Sequence, residues 1–215
     1  MSIDRLLDFE SQALFAIFTY LKENPGFHDI NEISEQIGFE KRTTSKYLER
    51  LSVLSDEVKE RAGTFPLTTS ERNYQIIQTN YAANKELCLA IYHISIKIDL
   101  LEGLLLNKEN TMNALMDKYS LSYSTLKKDV YEIRDFLKEA TIDLHIRNGE
   151  LVLSGLEPTI RLFFLSFFWQ LYGGYGHPFN IQSSQEKNFI FEKLSFLLSD
   201  QIDPITKIQY DYLVD

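Results

Sequence analysis

Two groups of polar residues have the types and spacing to hold a nucleic acid. One is Lys41, Arg42, Thr43, Ser45, Lys46 and Arg50; the other is Tyr123, Thr125, Lys127, Lys128 and Tyr131. Arg and Lys donate to phosphate oxygens or guanine edges, and Ser, Thr and Tyr hydroxyls bond mostly to phosphates. Arg147 and Asn148 sit in a tight turn from which a backbone or a minor groove is within reach, although Asn148 is also what such a turn demands. Any solvated helix face can carry lysines and hydroxyls. Here each set follows directly on a helix and a turn, and that repeated placement favours DNA contact.

Other chemistry finds less support. The histidines stand at 28, 93, 145 and 177 with no Cys or carboxylate partner at ligand spacing, so neither a metal site nor a cofactor is expected. Gly173 to Gly176 lacks the preceding strand, the following helix and the Lys of a phosphate-binding loop, and reads as a plain loop. Acidic residues are scattered over helix surfaces without a distinct pair, so no catalytic acid and base can be named and no enzyme is expected.

The elements that must position the polar groups follow from periodicity. Met112, Leu115, Met116 and Tyr119 recur at helical spacing behind Thr111, a natural N-cap. A second helix starts at Ser122 or Ser124, with Leu126, Val130, Ile133 and Leu137 inward and Tyr123, Thr125, Lys127, Lys128, Tyr131 and Arg134 outward. Ile142 to Ile146 alternates, Arg147-Asn-Gly-Glu150 turns, and Leu151 to Leu153 returns, the pattern of a hairpin. A helix-turn-helix followed by a hairpin is a winged helix-turn-helix, whose second helix is the usual reader of a major groove.

The same device occurs earlier. Arg5 to Tyr20 is expected to be one helix, with Leu6, Phe9, Ala13, Ile17 and Tyr20 on its inner face, ended by Asn24-Pro25-Gly26. Asp29 can cap a helix carrying Ile30, Ile33 and Ile37; Gly38 turns, and Thr44, Leu48 and Leu51 face inward from the next helix. A shift of 82 positions lays Ile30, Ile33, Ile37, Phe39, Leu48 and Leu51 on Met112, Leu115, Tyr119, Leu121, Val130 and Ile133; Thr43 falls on Thr125 and Lys46 on Lys128. This argues a duplicated module. Its first wing is expected within Glu57 to Gln75, with turns at Ala62-Gly63 and Pro66.

Between the copies, Leu87, Ile91, Ile94, Ile98, Leu101 and Leu105 suggest one helix of about six turns. It is either the first helix of the second module or a seam between modules or subunits. From Ile160 to Tyr172 only Arg161, Ser166 and Gln170 are not apolar or aromatic, as in a helix buried nearly all round, with Pro158 in its first turn. The run is too short for a membrane span. Phe191, Leu194, Leu197 and their neighbours from Asn188 to Leu198 suggest a further amphipathic helix.

With 215 residues, 44 % of them hydrophobic, the chain can bury more than one core. No apolar leader follows Met1, and the single Cys88 fits a reducing, cytoplasmic setting. A formal charge of −9 argues against non-specific coating of nucleic acid. Locally, Lys41, Arg42, Lys46 and Arg50 outnumber Glu40 and Glu49. The expected fold class is mainly α with small β-hairpin wings: a first winged domain over 1–80, a second over 81–156, and a helical, partial regulatory domain from 157 to 215.

The tandem helix-turn-helix, the wing Ile142 to Leu153, and above all Ser154-Gly-Leu-Glu-Pro-Thr-Ile-Arg161 followed by the Phe-rich Leu162 to Tyr172 resemble the Mga/AtxA family of bacterial transcription regulators. The resemblance implies a sequence-specific, double-stranded-DNA-binding activator of the virulence-regulator type, acting as a homodimer. It implies a helical part controlled by phosphotransferase-system proteins, while assigning no phosphorylated histidine, since His177 falls too early. It also places DNA contacts on the outward residues of both second helices. The rival expectation is a related protein-interaction or sensor module that does not itself bind DNA.

Overall fold

The computed structural model describes residues 2–106, 108 and 110–173. The amphipathic run over 188–198, most of the Gly173–Pro178 loop and His177 lie outside them. The chain opens with a 3-10 turn, Ile3–Leu6, and α1 (Phe9–Glu23) starts only after a break, because Asp8 turns extended and its Oδ1 accepts the Ser11 N–H at 2.8 Å. The single helix expected from Arg5 is thus two pieces. Phe9, expected inside, is 61 % exposed.

A short strand β1 (His28–Asp29) leads into α2 (Ile30–Ile37), capped by Asp29, whose Oδ1 accepts the N–H groups of Asn31 and Glu32. Gly38 closes α2 with φ 72°, a left-handed conformation that costs glycine little. The next helix, α3 (Lys41–Ala62), is longer than expected: Leu54, Ser55 and Val58 continue its buried row, so the stretch from Glu57 is helix and not wing. The wing itself is β2 (Leu67–Ser70) and β3 (Asn73–Ile76), reversed at Glu71 and Arg72, both at positive φ; β3 pairs on its other edge with β1. Gly63 and Pro66, the expected turn markers, end α3 and precede β2.

The stripe from Leu87 forms two helices, α4 (Tyr81–Ile94) and α5 (Ile96–Leu105), instead of one. Ser95, buried and extended at ψ 113°, breaks it, and its hydroxyl donates to the Leu6 carbonyl at 2.8 Å. Leu87 and Ile91 fall in one core, Ile98, Leu101 and Leu105 in another. The stripe is therefore both a seam between the two cores and the start of the second unit.

Beyond it come α6 (Met112–Tyr119), capped by Thr111, then α7 (Tyr123–Lys138), capped by Ser122, with Leu126, Val130, Ile133 and Leu137 buried as expected. Strands β4 (Asp143–Arg147) and β5 (Glu150–Ser154) pair antiparallel across Asn148 and Gly149, which both take positive φ, the requirement of a two-residue hairpin turn. Last is α8 (Glu157–Tyr172), with Pro158 in its first turn and Arg161 donating to Glu157 at 2.7 Å. It is not buried all round: Phe163, Phe167, Phe168 and Leu171 face the core, while Leu162 is 64 % exposed. One packed stripe suffices, because a single helix meets only one neighbouring layer.

Helices α2 and α6 have bounds 82 residues apart, and α3 and α7 begin 82 residues apart. Ser120 takes the left-handed conformation that Gly38 takes in the first copy. The wings match as well, since Thr111 bridges Glu150 of β5 as Asp29 pairs Asn73 of β3. The chain is mainly α, built of tandem helix-turn-helix units with β wings. Each has its own core: Leu14, Ile17, Ile33, Leu48, Leu51 and Ile76 in the first; Leu101, Leu115, Leu126, Val130, Ile133 and Leu151 in the second. Each such side chain contributes about 1.5–3 kcal/mol by leaving water. Ile3, Leu6 and Leu7, from the chain's start, pack into the second core.

Candidate nucleic-acid interface

In α7 the inward row turns Tyr123, Thr125, Lys128 and Tyr131 to solvent and leaves Lys127 half-buried. The Lys127 ammonium lies 5.9 Å from the Tyr123 ring centroid and 5.5 Å from that of Tyr131, while the Arg134 guanidinium lies 4.4 Å from the Tyr131 ring. A ring one helical turn before Lys127 and another one turn after it thus hold its cation between them, which fixes a flexible lysine without neutralising it. Lys128 is less free: Glu132 stands 3.8 Å away, although that carboxylate is bound more closely by Lys97 at 2.6 Å. The hydroxyls of Ser122, Ser124 and Thr125 cluster at the N-terminus of α7, within 3.0 Å of one another through Ser122.

On α3, Lys41, Arg42, Ser45, Lys46 and Arg50 are exposed and Thr43 is half-buried. Arg50 meets Glu10 of α1 at 3.6 Å, so its charge is partly offset, whereas Lys46 lies 4.9 Å from the Tyr47 ring. Thr44, the one polar residue in the inward row, is satisfied by donating to the Glu40 carbonyl at 3.2 Å. Phe9, Phe39 and Tyr47 form an aromatic patch beside this face, with centroids 6.0 and 6.3 Å apart.

Arg147 is exposed at the tip of the second wing, opposite Glu150 in the ladder. Arg72 is exposed at the tip of the first. The sequence reading missed Arg72 because its turn has no glycine or asparagine; once the β3 register is known, the parallel with Arg147 is plain.

The bend between α4 and α5 also joins His93, Asp99 and Glu102, with ligand-type atoms within 4.8 Å of one another. Linear spacing hid them because Ser95 bends the chain between them. Both carboxylates already have protein partners. Asp99 accepts Lys118 and Tyr119, both at 2.6 Å, and Glu102 accepts the Tyr172 hydroxyl at 2.5 Å and faces His93 at 3.4 Å. Burial pushes the Asp99 pKa up, but these two donors outweigh it and hold the carboxyl below its usual range. Burial and the Asp99 bond push Tyr119 up to about 12. This is an ion-pair network tying α4, α5, α6 and α8 together.

Among the described residues no helix is long and apolar enough to cross a membrane. No curated protein matches the chain. Residues 80–168 match the family model of the Mga helix-turn-helix domain, from the cap of α4 through α7, the second wing and three turns of α8. The matched range includes the Gly155–Arg161 segment on which the sequence resemblance rested. Over that range the chain is similar to the Mga-like family of DNA-binding regulators, and its second winged helix-turn-helix is the part that carries the likeness.

Proposed function

We propose that this chain is a sequence-specific DNA-binding transcription regulator, an activator acting in the cytoplasm, with α3 and α7 entering adjacent major grooves. The observation that carries the reading is the outer face of α7: exposed Tyr123, Thr125 and Lys128, with Lys127 held between two rings, on the second helix of a unit of the Mga type. Lys41, Arg42, Thr43, Ser45, Lys46 and Arg50 form the equivalent face of α3. In this reading Lys127 and Lys128 hold phosphates, the hydroxyl of Thr125 orients the helix, the Tyr131 ring steadies the cations beside it, and Arg147 touches backbone or minor groove from the wing. The overall charge of −9 suppresses adhesion elsewhere, so contact is confined to these faces.

Residues 1–80 and 81–156 act as the two DNA-binding domains in this proposal, and 157–215 begin a helical regulatory domain. Control by phosphotransferase-system proteins through that part, and assembly as a homodimer, extend it. The test is a binding selection from random duplexes at stated salt, then gel-shift titrations of Lys127→Ala/Lys128→Ala. Binding should weaken on every sequence, and the salt slope should flatten by roughly one unit per lost phosphate contact. Unchanged affinity and slope would refute the assignment to α7.

A further inference from the structure

Beside the first core, Phe18 and Lys22 of α1 meet Asn84, Lys85 and Cys88 of α4 around a cavity of about 270 Å³ that opens at the surface beside Tyr81. Two cations border it. The Lys22 ammonium lies 5.8 Å from the Phe18 ring and that of Lys85 6.0 Å from the Tyr81 ring, and among the described residues neither is in an ion pair. Their fields converge on Cys88, whose thiol is pushed up to about 11 by burial against the opposing pull of Lys85 and Lys22. Asn84 is 5 % exposed; its Nδ2 donates to the Ile77 carbonyl at 3.0 Å, and its Oδ1 has no partner. That oxygen is sealed from solvent, so Asn84 lines the cavity by the rest of its side chain and the two ammonium groups are the polar groups an occupant meets. Lys85 also reaches the end of α8, where its Nζ lies 2.5 Å from the place a Cβ on Gly173 would take.

We propose that this cavity binds a small amphipathic anion: a carboxylate or phosphate head on Lys22 and Lys85, and a flat apolar body against Phe18 and Cys88. The volume suits a one- or two-ring compound and excludes a polymer. An occupant touches α1 and α4 beside the end of α8, so it stabilises the arrangement of the first unit against the helix that continues into the second core. Nothing in this site depends on the DNA-contacting faces.

The probe is 6-(dimethylamino)-2-naphthoate, a two-ring fluorophore with a carboxylate head whose emission responds to removal from water. Its fluorescence should rise along a saturable one-site curve. Lys22→Gln/Lys85→Gln should weaken binding at least tenfold with no change in melting temperature. Bound probe should slow modification of Cys88 by a disulfide reagent, a readout that needs no variant. Displacement by benzoate or by phenyl phosphate tells a carboxylate from a phosphate preference. Equal probe affinity in the double variant, an unprotected Cys88 at saturation, or no saturable binding overturns the proposal.

Discussion

The Ser95 hydroxyl donates to the carbonyl of Leu6 at 2.8 Å, joining the chain's first turn to the break between α4 and α5 across 89 residues. Both groups are buried. Ser95→Ala leaves the Leu6 oxygen unpaired and should cost about 1–3 kcal/mol. Urea denaturation measures this, and a loss below about 0.5 kcal/mol would mean that water replaces the hydroxyl.

Tyr131 connects Lys127 and Arg134 through its ring face, not its hydroxyl. Tyr131→Phe should therefore keep DNA affinity within about twofold if the ring alone matters, whereas Tyr131→Ala should weaken it several-fold, since each exposed cation–π contact is worth about 0.5–1 kcal/mol. Gel-shift titration of the two variants decides. Equal losses would assign the effect to the hydroxyl.

Asp99 gives a pH signature. Its folded-state pKa lies below the unfolded value, so the stability it contributes is present above the ordinary carboxylate pKa and is lost as pH falls through the lowered one. Asp99→Asn should be destabilised at neutral pH, and the gap to the native chain should close as the pH drops below about 4. A gap that stays constant with pH would show that the Lys118 and Tyr119 contacts add no linked stability.

The two wing turns differ in their fit to the backbone. Gly149 has φ 82° and open space where a Cβ would stand, so Gly149→Ala should cost about 1–2 kcal/mol from backbone conformation alone. Arg72 takes φ 77° with a full side chain, and Arg72→Gly should stabilise the chain by roughly 1 kcal/mol. Thermal melts check both. If Arg72 also touches DNA, the stabilised variant will bind more weakly.

Much of this architecture is local and was legible. Asp29, Thr111 and Ser122 cap helices because their side chains reach an N–H two or three residues ahead. Asn148-Gly149 turns because both residues tolerate positive φ. The 82-residue offset of α2–α3 and α6–α7 was visible because each inward row must stay apolar to bury its face. The outward residues followed by subtraction.

What only tertiary structure decided depends on partners far away in the chain. Leu6 holds the Ser95 break, and β1 pairs with β3 beside a turn whose residues, Glu71 and Arg72, give no turn signal. Folding also placed Glu10 against Arg50, gathered His93, Asp99 and Glu102 across a bend, and closed a cavity between α1 and α4. Periodicity specifies which side of a helix leaves water, since that is a property of neighbouring residues. Which residue then waits on the other side depends on how the helices cross.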